Sequence, residues 1–386
     1  MKDLNILFDL LAVSVLQVPL KENIKDLIDL ETLKKIFFLS KKHDMAHLIG
    51  DALNKNGFLT QEDEISKKFL TERNMAIYRY EQLNYELGEI CHLLEDSKIR
   101  HIPLKGSVIR NYYPEPWMRT SCDIDMLIQE QDLEKALEVL LQNGFRYEKK
   151  SLYDVELFSE TGVHLELHYN LIENRSVPEN NEVLENVWEY AKKTEDSQYT
   201  YAFTDEMFYY YHIYHMAKHF VSGGCGIKPF LDIYILNYKL TFDEEKRNDL
   251  LRKGKLDAFS TTAKKLSDVW FANAEHDELT MMMEEFILGG GVYGTIENKV
   301  VLQQSKKGGK GKYAKSRIFL PYDQLKHSYP VLQKHKWLTP IFEVVRWFRI
   351  LFKGRAKSSL HELKTNVSVS ECERKKMDVL IKELNL

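Results

Sequence analysis

The run Asp123-Ile124-Asp125-Met126-Leu127-Ile128 decides how the rest of this chain is read. It has the composition of a strand, and strand side chains alternate between two faces. Ile124, Met126 and Ile128 then share one face, and Asp123 and Asp125 share the other. Two carboxylates about 7 Å apart on one face repel each other, and a bound cation removes that cost. Hard oxygen ligands on a rigid strand suit Mg²⁺, which completes its shell with water and substrate phosphate. A bare Asp-x-Asp also fits two solvated residues on an outer sheet face, so its neighbours must decide.

Upstream, Ile99 to Leu104 is a short apolar segment that ends at Lys105-Gly106-Ser107 and opens a short helix. Unpaired N–H groups at a helix start attract phosphate, although a Gly-Ser turn with an ordinary cap reads the same way. Downstream, Leu133, Leu137, Leu140 and Leu141 predict an amphipathic helix closed by Gly144. Leu152 to Phe158 and Val163 to His168 alternate with period two around Thr161-Gly162 and predict a hairpin. On its second arm His164, Glu166 and His168 face one way. Two acids on one strand and a third on a neighbour make a facial set for two ions, although a polar outer strand is the plainer alternative.

The succession Leu104-Lys105-Gly106-Ser107, Tyr112-Tyr113-Pro114, Met118-Arg119 and Asp123-Ile124-Asp125, followed by Glu166-Leu167-His168, resembles the uncharacterised nucleotidyltransferase family of the DNA polymerase beta-type superfamily. His215, His219 and Leu231-Asp232 resemble its helical His-x3-His…Asp segment, and Arg317 to Pro321 with Tyr329-Pro330 resemble its tail. The resemblance implies an NMP transferase core with a small mixed sheet, two Mg²⁺ (or Mn²⁺) ions and an NTP donor, ATP included. It implies that Asp123, Asp125 and Glu166 are the catalytic metal ligands, and that Lys105, Gly106, Ser107 and Arg119 contact the nucleotide. His168, His215, His219 and Asp232 would lie on the substrate side. The usual third acid of the superfamily is Asp; here it is the longer Glu166.

The other features are less specific. Hydrophobic residues make up 44% and charged residues 29% of the 386, as in a soluble globular protein. Cys91, Cys122, Cys225 and Cys372 form no Cys-x-x-Cys pair, which fits a reducing cytoplasm. Leu4 to Leu20, interrupted by Asp9, reads as a buried helix, and no run approaches the ~18 apolar residues of a membrane span. Gly289 to Gly294 fits Gly-x-Gly-x-x-Gly, but a helical pattern precedes it, so a loop is expected. His212, His215 and His219 share a helix face without a Cys or Asp at the usual zinc offsets. Residues 306–357 hold fourteen Lys or Arg against two acids, a net +12, so the rest of the chain carries −16 of the overall −4. That basic segment has three readings: docking on its own chain, gathering a polyphosphate or nucleic acid, or lying on an anionic membrane through Trp337, Trp347, Phe348 and Phe352.

The sequence therefore predicts a mostly helical α+β protein. A helical segment at 1–95 leads into a nucleotidyltransferase core at 96–200 with a small mixed sheet. A helical acceptor-side region follows at 201–304 and a basic helical tail at 305–386. The expected activity is transfer of NMP from NTP to an unknown acceptor hydroxyl (of a small molecule, saccharide, protein or RNA), with release of pyrophosphate. The alternative is a non-catalytic nucleotide- or partner-binding module that keeps the fold.

Overall fold

The computed structural model describes all residues except 1, 61, 173–180, 293, 330 and 353–355, and it leaves out the side chains of 2, 323, 327, 350–352 and 356–360. Tyr293, Pro330 and the 353–355 stretch of the basic segment thus lie outside the described residues, as do the side chains of Asp323 and Phe352. The chain is α+β and mostly helical, with one mixed five-stranded sheet. It divides into two compact units. One comprises Met1–Lys218, Ile227–Thr280 and Leu386, the other His219–Gly226 and Met281–Asn385.

The sheet belongs to the first unit. Its strands are β1 (His101–Pro103), β2 (Asp123–Ile128), β3 (Arg146–Lys150), β4 (Asp154–Phe158) and β5 (His164–His168), in the order β1-β2-β5-β4-β3. β2 and β5 are parallel and every other pair is antiparallel. The expected hairpin is β4–β5, and Gly162 supplies the positive φ of 86° that its turn requires. β3 was not foreseen. All five of its residues are exposed at the sheet edge, so it lacks the apolar alternation that marks a half-buried strand.

One face of the sheet is dry. Ile124, Met126 and Ile128 of β2 and Leu165 and Leu167 of β5 are buried against Leu83, Ile90 and Leu94 of the long helix Glu64–Asp96. Leu133, Ala136 and Leu140 of the helix Leu133–Gln142 join the same cluster. Each fully buried Leu or Ile contributes roughly 2 kcal/mol, which fixes the register of the alternation and turns the odd-numbered β2 residues to the other face. The Asp63 carboxylate caps the long helix by accepting from the Ser66 N–H at 2.7 Å.

Helices Asp205–Phe220, Lys228–Lys239 and Asp257–Ala272 follow the sheet. The first begins after a small ribbon of β6 (Ala191–Lys193) and β7 (Tyr201–Phe203). In the second unit, Val300, Tyr313 and Val369 form a small core, and the buried Gln304 amide donates to the Asn366 carbonyl at 2.9 Å and side-chain oxygen at 2.8 Å. The glycine run expected as a loop is partly helical. Gly289 and Gly290 end the helix Glu278–Gly290. A Cβ on Gly294 would lie 2.1 Å from the Gly223 carbonyl oxygen, so close backbone packing explains that glycine. Gly308 and Gly309 form the turn between helices Ile296–Lys307 and Lys310–Ile318.

Candidate functional site

The parallel register sets Asp123 beside His164, Asp125 beside Glu166 and Leu127 beside His168. The face of the sheet opposite the core thus carries two adjacent rows of acids and imidazoles. Ligand atoms of Asp123, His164 and Glu166 lie within 4.8 Å of one another, and so do those of Asp125, Glu166 and His168. Glu166 belongs to both groups, as the bridging acid of a two-ion site would. β4 extends the face with Asp154 opposite His168 and Glu156 opposite Glu166.

Lys105 reaches this face from the end of β1. The Leu104 N–H donates to the Asp125 carbonyl at 2.9 Å, which brings the next residue over the carboxylates. Lys105 then takes φ 46° and ψ −119°, a strained conformation for a side-chain-bearing residue. The strain aims its ammonium at Asp125, with Nζ 2.6 Å from Oδ1. The same oxygen lies 3.0 Å from Nε2 of buried His168, and that nitrogen is 3.4 Å from Glu166 Oε2.

These contacts separate the two aspartates. Burial pushes the Asp123 carboxyl up to about 6, helped by the Asp125 and Glu166 charges and opposed by Lys105. Burial acts in the same direction on Asp125, but Lys105 and His168 outweigh it and hold that carboxylate below its ordinary range. Burial pulls Lys105 down, yet Asp125, Tyr211 and Glu166 carry it well above the ordinary lysine value. One strand therefore presents a firmly ionised acid next to one whose ionisation its surroundings oppose.

The donor set fits a divalent ion. Asp123, Asp125 and Glu166 supply hard oxygens, and His164 Nε2 and His168 Nδ1 are buried without a hydrogen-bond partner. Ser107 Oγ is buried and also lacks a partner. The helix that starts there is a single turn, Gly106–Ile109, continued by the 3₁₀ turn Arg110–Tyr112. A Cβ on Gly106 would lie 2.8 Å from Ser121 Cβ, so this position requires a glycine for packing alone. The Ser121 hydroxyl accepts from Arg110 at 2.8 Å.

Arg119 and Asp232, named separately from sequence, are each other's partners. Arg119 Nε lies 2.8 Å from Asp232 Oδ1, and Nη2 lies 2.8 Å from Oδ2. The Tyr113 hydroxyl donates to the same carboxylate at 2.7 Å. The pair clamps the loop that enters β2 to the helix Lys228–Lys239, and the loop is held a second time by His47 Nε2, 2.8 Å from the Met118 carbonyl. His215, in the first unit, is half-buried on the helix Asp205–Phe220. His219 is half-buried in the second unit. His212, a zinc candidate by spacing, meets the Pro229 carbonyl at 3.1 Å.

A family model described as uncharacterised nucleotidyltransferase matches residues 31–272. The chain belongs to this family. The nucleotidyltransferase match contains the whole sheet, Lys105, the carboxylates, His164, His168 and the Arg119–Asp232 clamp, whereas Met281–Asn385 lies beyond it. The family description gives the general chemistry, transfer of a nucleotidyl group, and names no acceptor. No curated protein matches the chain. Sequence reading had placed His164 on the right face of β5 without assigning it to the site. Its place beside Asp123 depends on the β2–β5 register, which the alternation within either strand leaves open.

Proposed function

We propose that this chain is a metal-dependent nucleotidyltransferase with a polymerase-beta-type core at residues 96–200. It moves NMP from an NTP to an acceptor hydroxyl and releases pyrophosphate. The observation that carries this reading is Asp123, Asp125 and Glu166 on one face of adjacent parallel strands, with Glu166 shared by both ligand groups. Asp123, Asp125 and Glu166 would hold two Mg²⁺ or Mn²⁺ ions, which neutralise the triphosphate and polarise the attacking hydroxyl. His168 orients Asp125 and Glu166 through its Nε2. Ser107 Oγ is an unused hydroxyl at the start of the turn that would meet the phosphates, and Gly106 keeps that turn close-packed. Lys105, beside the carboxylates, would be free to meet a phosphate oxygen when they hold an ion. Arg119 acts on the nucleotide indirectly, by holding the loop before β2.

The test is Mg²⁺- or Mn²⁺-dependent binding of each NTP, with pyrophosphate release measured in the presence of a lysate fraction as acceptor source. Binding and release in the wild type, both lost on chelation with EDTA, support the assignment. ADP as the product instead of pyrophosphate would convert it to phosphoryl transfer. A second reading, a nucleotide-binding module without turnover, is favoured by one observation: Lys105 already neutralises Asp125 at 2.6 Å. That reading requires NTP binding that persists in EDTA and no pyrophosphate with any acceptor.

A further inference from the structure

The second unit contains a helix that turns its apolar stripe toward solvent. In Thr339–Phe352 the exposed residues Ile341 (53%), Val344 (55%), Val345 (42%) and Phe348 (56%) recur at i, i+3, i+4 and i+7, the spacing of one helix face. The charged pair of this helix points inward. Glu343 is buried, with Oε2 2.9 Å from Arg346 Nε and Oε1 accepting the Leu320 N–H at 2.6 Å. Arg346 Nη2 and Trp347 Nε1 both donate to the Ile318 carbonyl, at 2.6 and 3.1 Å. The orientation of the helix is therefore fixed by three hydrogen bonds to Ile318 and Leu320. The side that ordinarily packs inward is the side left in water.

The charges around the stripe select its occupant. Glu343 is one of only two acids in residues 306–357, and Arg346 neutralises it. Lys334, Lys336 and Arg349, next to the stripe in sequence, are exposed, and Trp337 between them is 73% exposed. Phe319, also exposed, follows the clasped Ile318 carbonyl. An aliphatic stripe with a terminal Trp and flanking cations is the composition of a helix that lies in the interface of an anionic bilayer. A second copy that met it through the same face would bring equal positive charges together. A nucleic acid would use the cations and leave the aliphatic groups in water. The 14-residue helix is about 21 Å long, too short to cross a hydrocarbon core of ~30 Å, so it lies flat. Among the described residues no helix is long and apolar enough to cross a membrane.

We propose that the face Ile341–Val344–Val345–Phe348, with Trp337 and the cations around it, is a docking surface for an anionic phospholipid bilayer, on which the chain lies peripherally. The docking is reversible, since one short helix with a few cations gives only modest affinity.

The test is co-sedimentation of the full chain with vesicles of phosphatidylcholine alone and of phosphatidylcholine mixed with phosphatidylglycerol, at low and high salt. The wild type is expected to pellet with the mixed vesicles, weakly with the neutral ones, and less at high salt. Val344→Asp/Phe348→Asp is expected to lower the partition coefficient about tenfold or more, with an unchanged melting curve. No pelleting with the mixed vesicles, or equal pelleting with both kinds, overturns the proposal, and these comparisons need no variant. Pelleting that is unaffected by the double substitution overturns it as well. A dimer in sedimentation velocity that the substitution dissociates, without vesicle binding, assigns the face to a second copy. Retention on RNA in place of vesicles assigns the cations to nucleic acid.

Discussion

The sheet face and the helix Thr339–Phe352 break the rule of apolar inside and charged outside in opposite directions. On the sheet, Asp125, His168 and Lys105 are withdrawn from water and satisfy one another around a single carboxylate oxygen. On the helix, four apolar side chains remain in water while the Glu343–Arg346 pair is turned inward. Both arrangements cost free energy locally, and natural chains concentrate such costs at working surfaces. The difference lies in what completes each one. The sheet face has nearly all its countercharges within the chain, and under the proposed function an ion and a phosphate complete it. Glu343, the acid among the described side chains of 306–357, is taken by Arg346, and the helix face looks outward for its complement.

The comparison breaks first at Asp125. If the sheet face is a reaction centre, Asp125→Asn keeps the shape of the side chain and removes the charge that Lys105, His168 and a cation share. Metal-dependent turnover of NTP should fall by about 10³-fold or more, while the fold survives. Pyrophosphate release at wild-type rates would show that the buried charges serve structure alone. Arg119 tests the opposite role. Removing one partner of a buried ion pair leaves the other charge uncompensated, so Arg119→Met should cost about 3–5 kcal/mol in urea unfolding. Arg119→Met/Asp232→Leu should recover much of that loss. Failure of the double variant to recover turnover along with stability would place Arg119 on the nucleotide.

How much of this was legible follows from which forces act locally. The Asp123/Asp125 face, the β4–β5 hairpin and the helix Leu133–Gln142 are written in apolar periodicity, which any short window displays. Phe348 stood out in the sequence as an aromatic residue of the basic segment, but which side of its helix faces water did not. The buried side of that helix is set by hydrogen bonds to Ile318 and Leu320, more than twenty residues upstream. The pairing of Asp123 with His164 and of Asp125 with Glu166 is non-local, and a period-two strand carries no mark of its partner's register. Arg119 and Asp232 lie 113 residues apart, so each had looked like a separate ligand. The positive φ of Lys105 had no signal, since the residue types that tolerate it are Gly, Asn and Asp.

Acid sharpens the contrast, because the buried groups near the sheet titrate with opposite signs. Burial, helped by the Lys228 charge, pulls His47 down to about 4. The unfolded chain takes up that proton first, near the ordinary value of about 6.5. The contribution of neutral His47 is complete above about pH 6.5 and is lost as pH falls through 4, roughly 3 kcal/mol in all. His47→Gln keeps a donor for the Met118 carbonyl and should gain stability relative to wild type over that window. Burial raises Asp123, so the folded chain binds its proton first, and that group favours the fold as pH falls toward its unfolded value. Asp123→Asn should therefore lose stability relative to wild type on acidification. Urea midpoints measured from pH 7 to pH 4 on both variants check the two signs. Parallel shifts would mean that the groups do not titrate as their surroundings require.

The smallest expected effect is the most discriminating. Val344→Asp places a charge on the exposed stripe, where the side chain is already more than half in water, so unfolding should shift by no more than about 0.5 kcal/mol. The same change at Val155 of β4, fully buried in the sheet core, would bury an unpaired carboxylate and exceed about 4 kcal/mol. A helix held by Glu343, Arg346 and Trp347 does not need its outer face for stability, so that face is free to be apolar for another reason. If Val344→Asp costs about 2 kcal/mol or more, as a packed valine would, the stripe is covered by the chain itself in solution. The likeness between the two surfaces then ends, and only the sheet face remains as a site under functional cost.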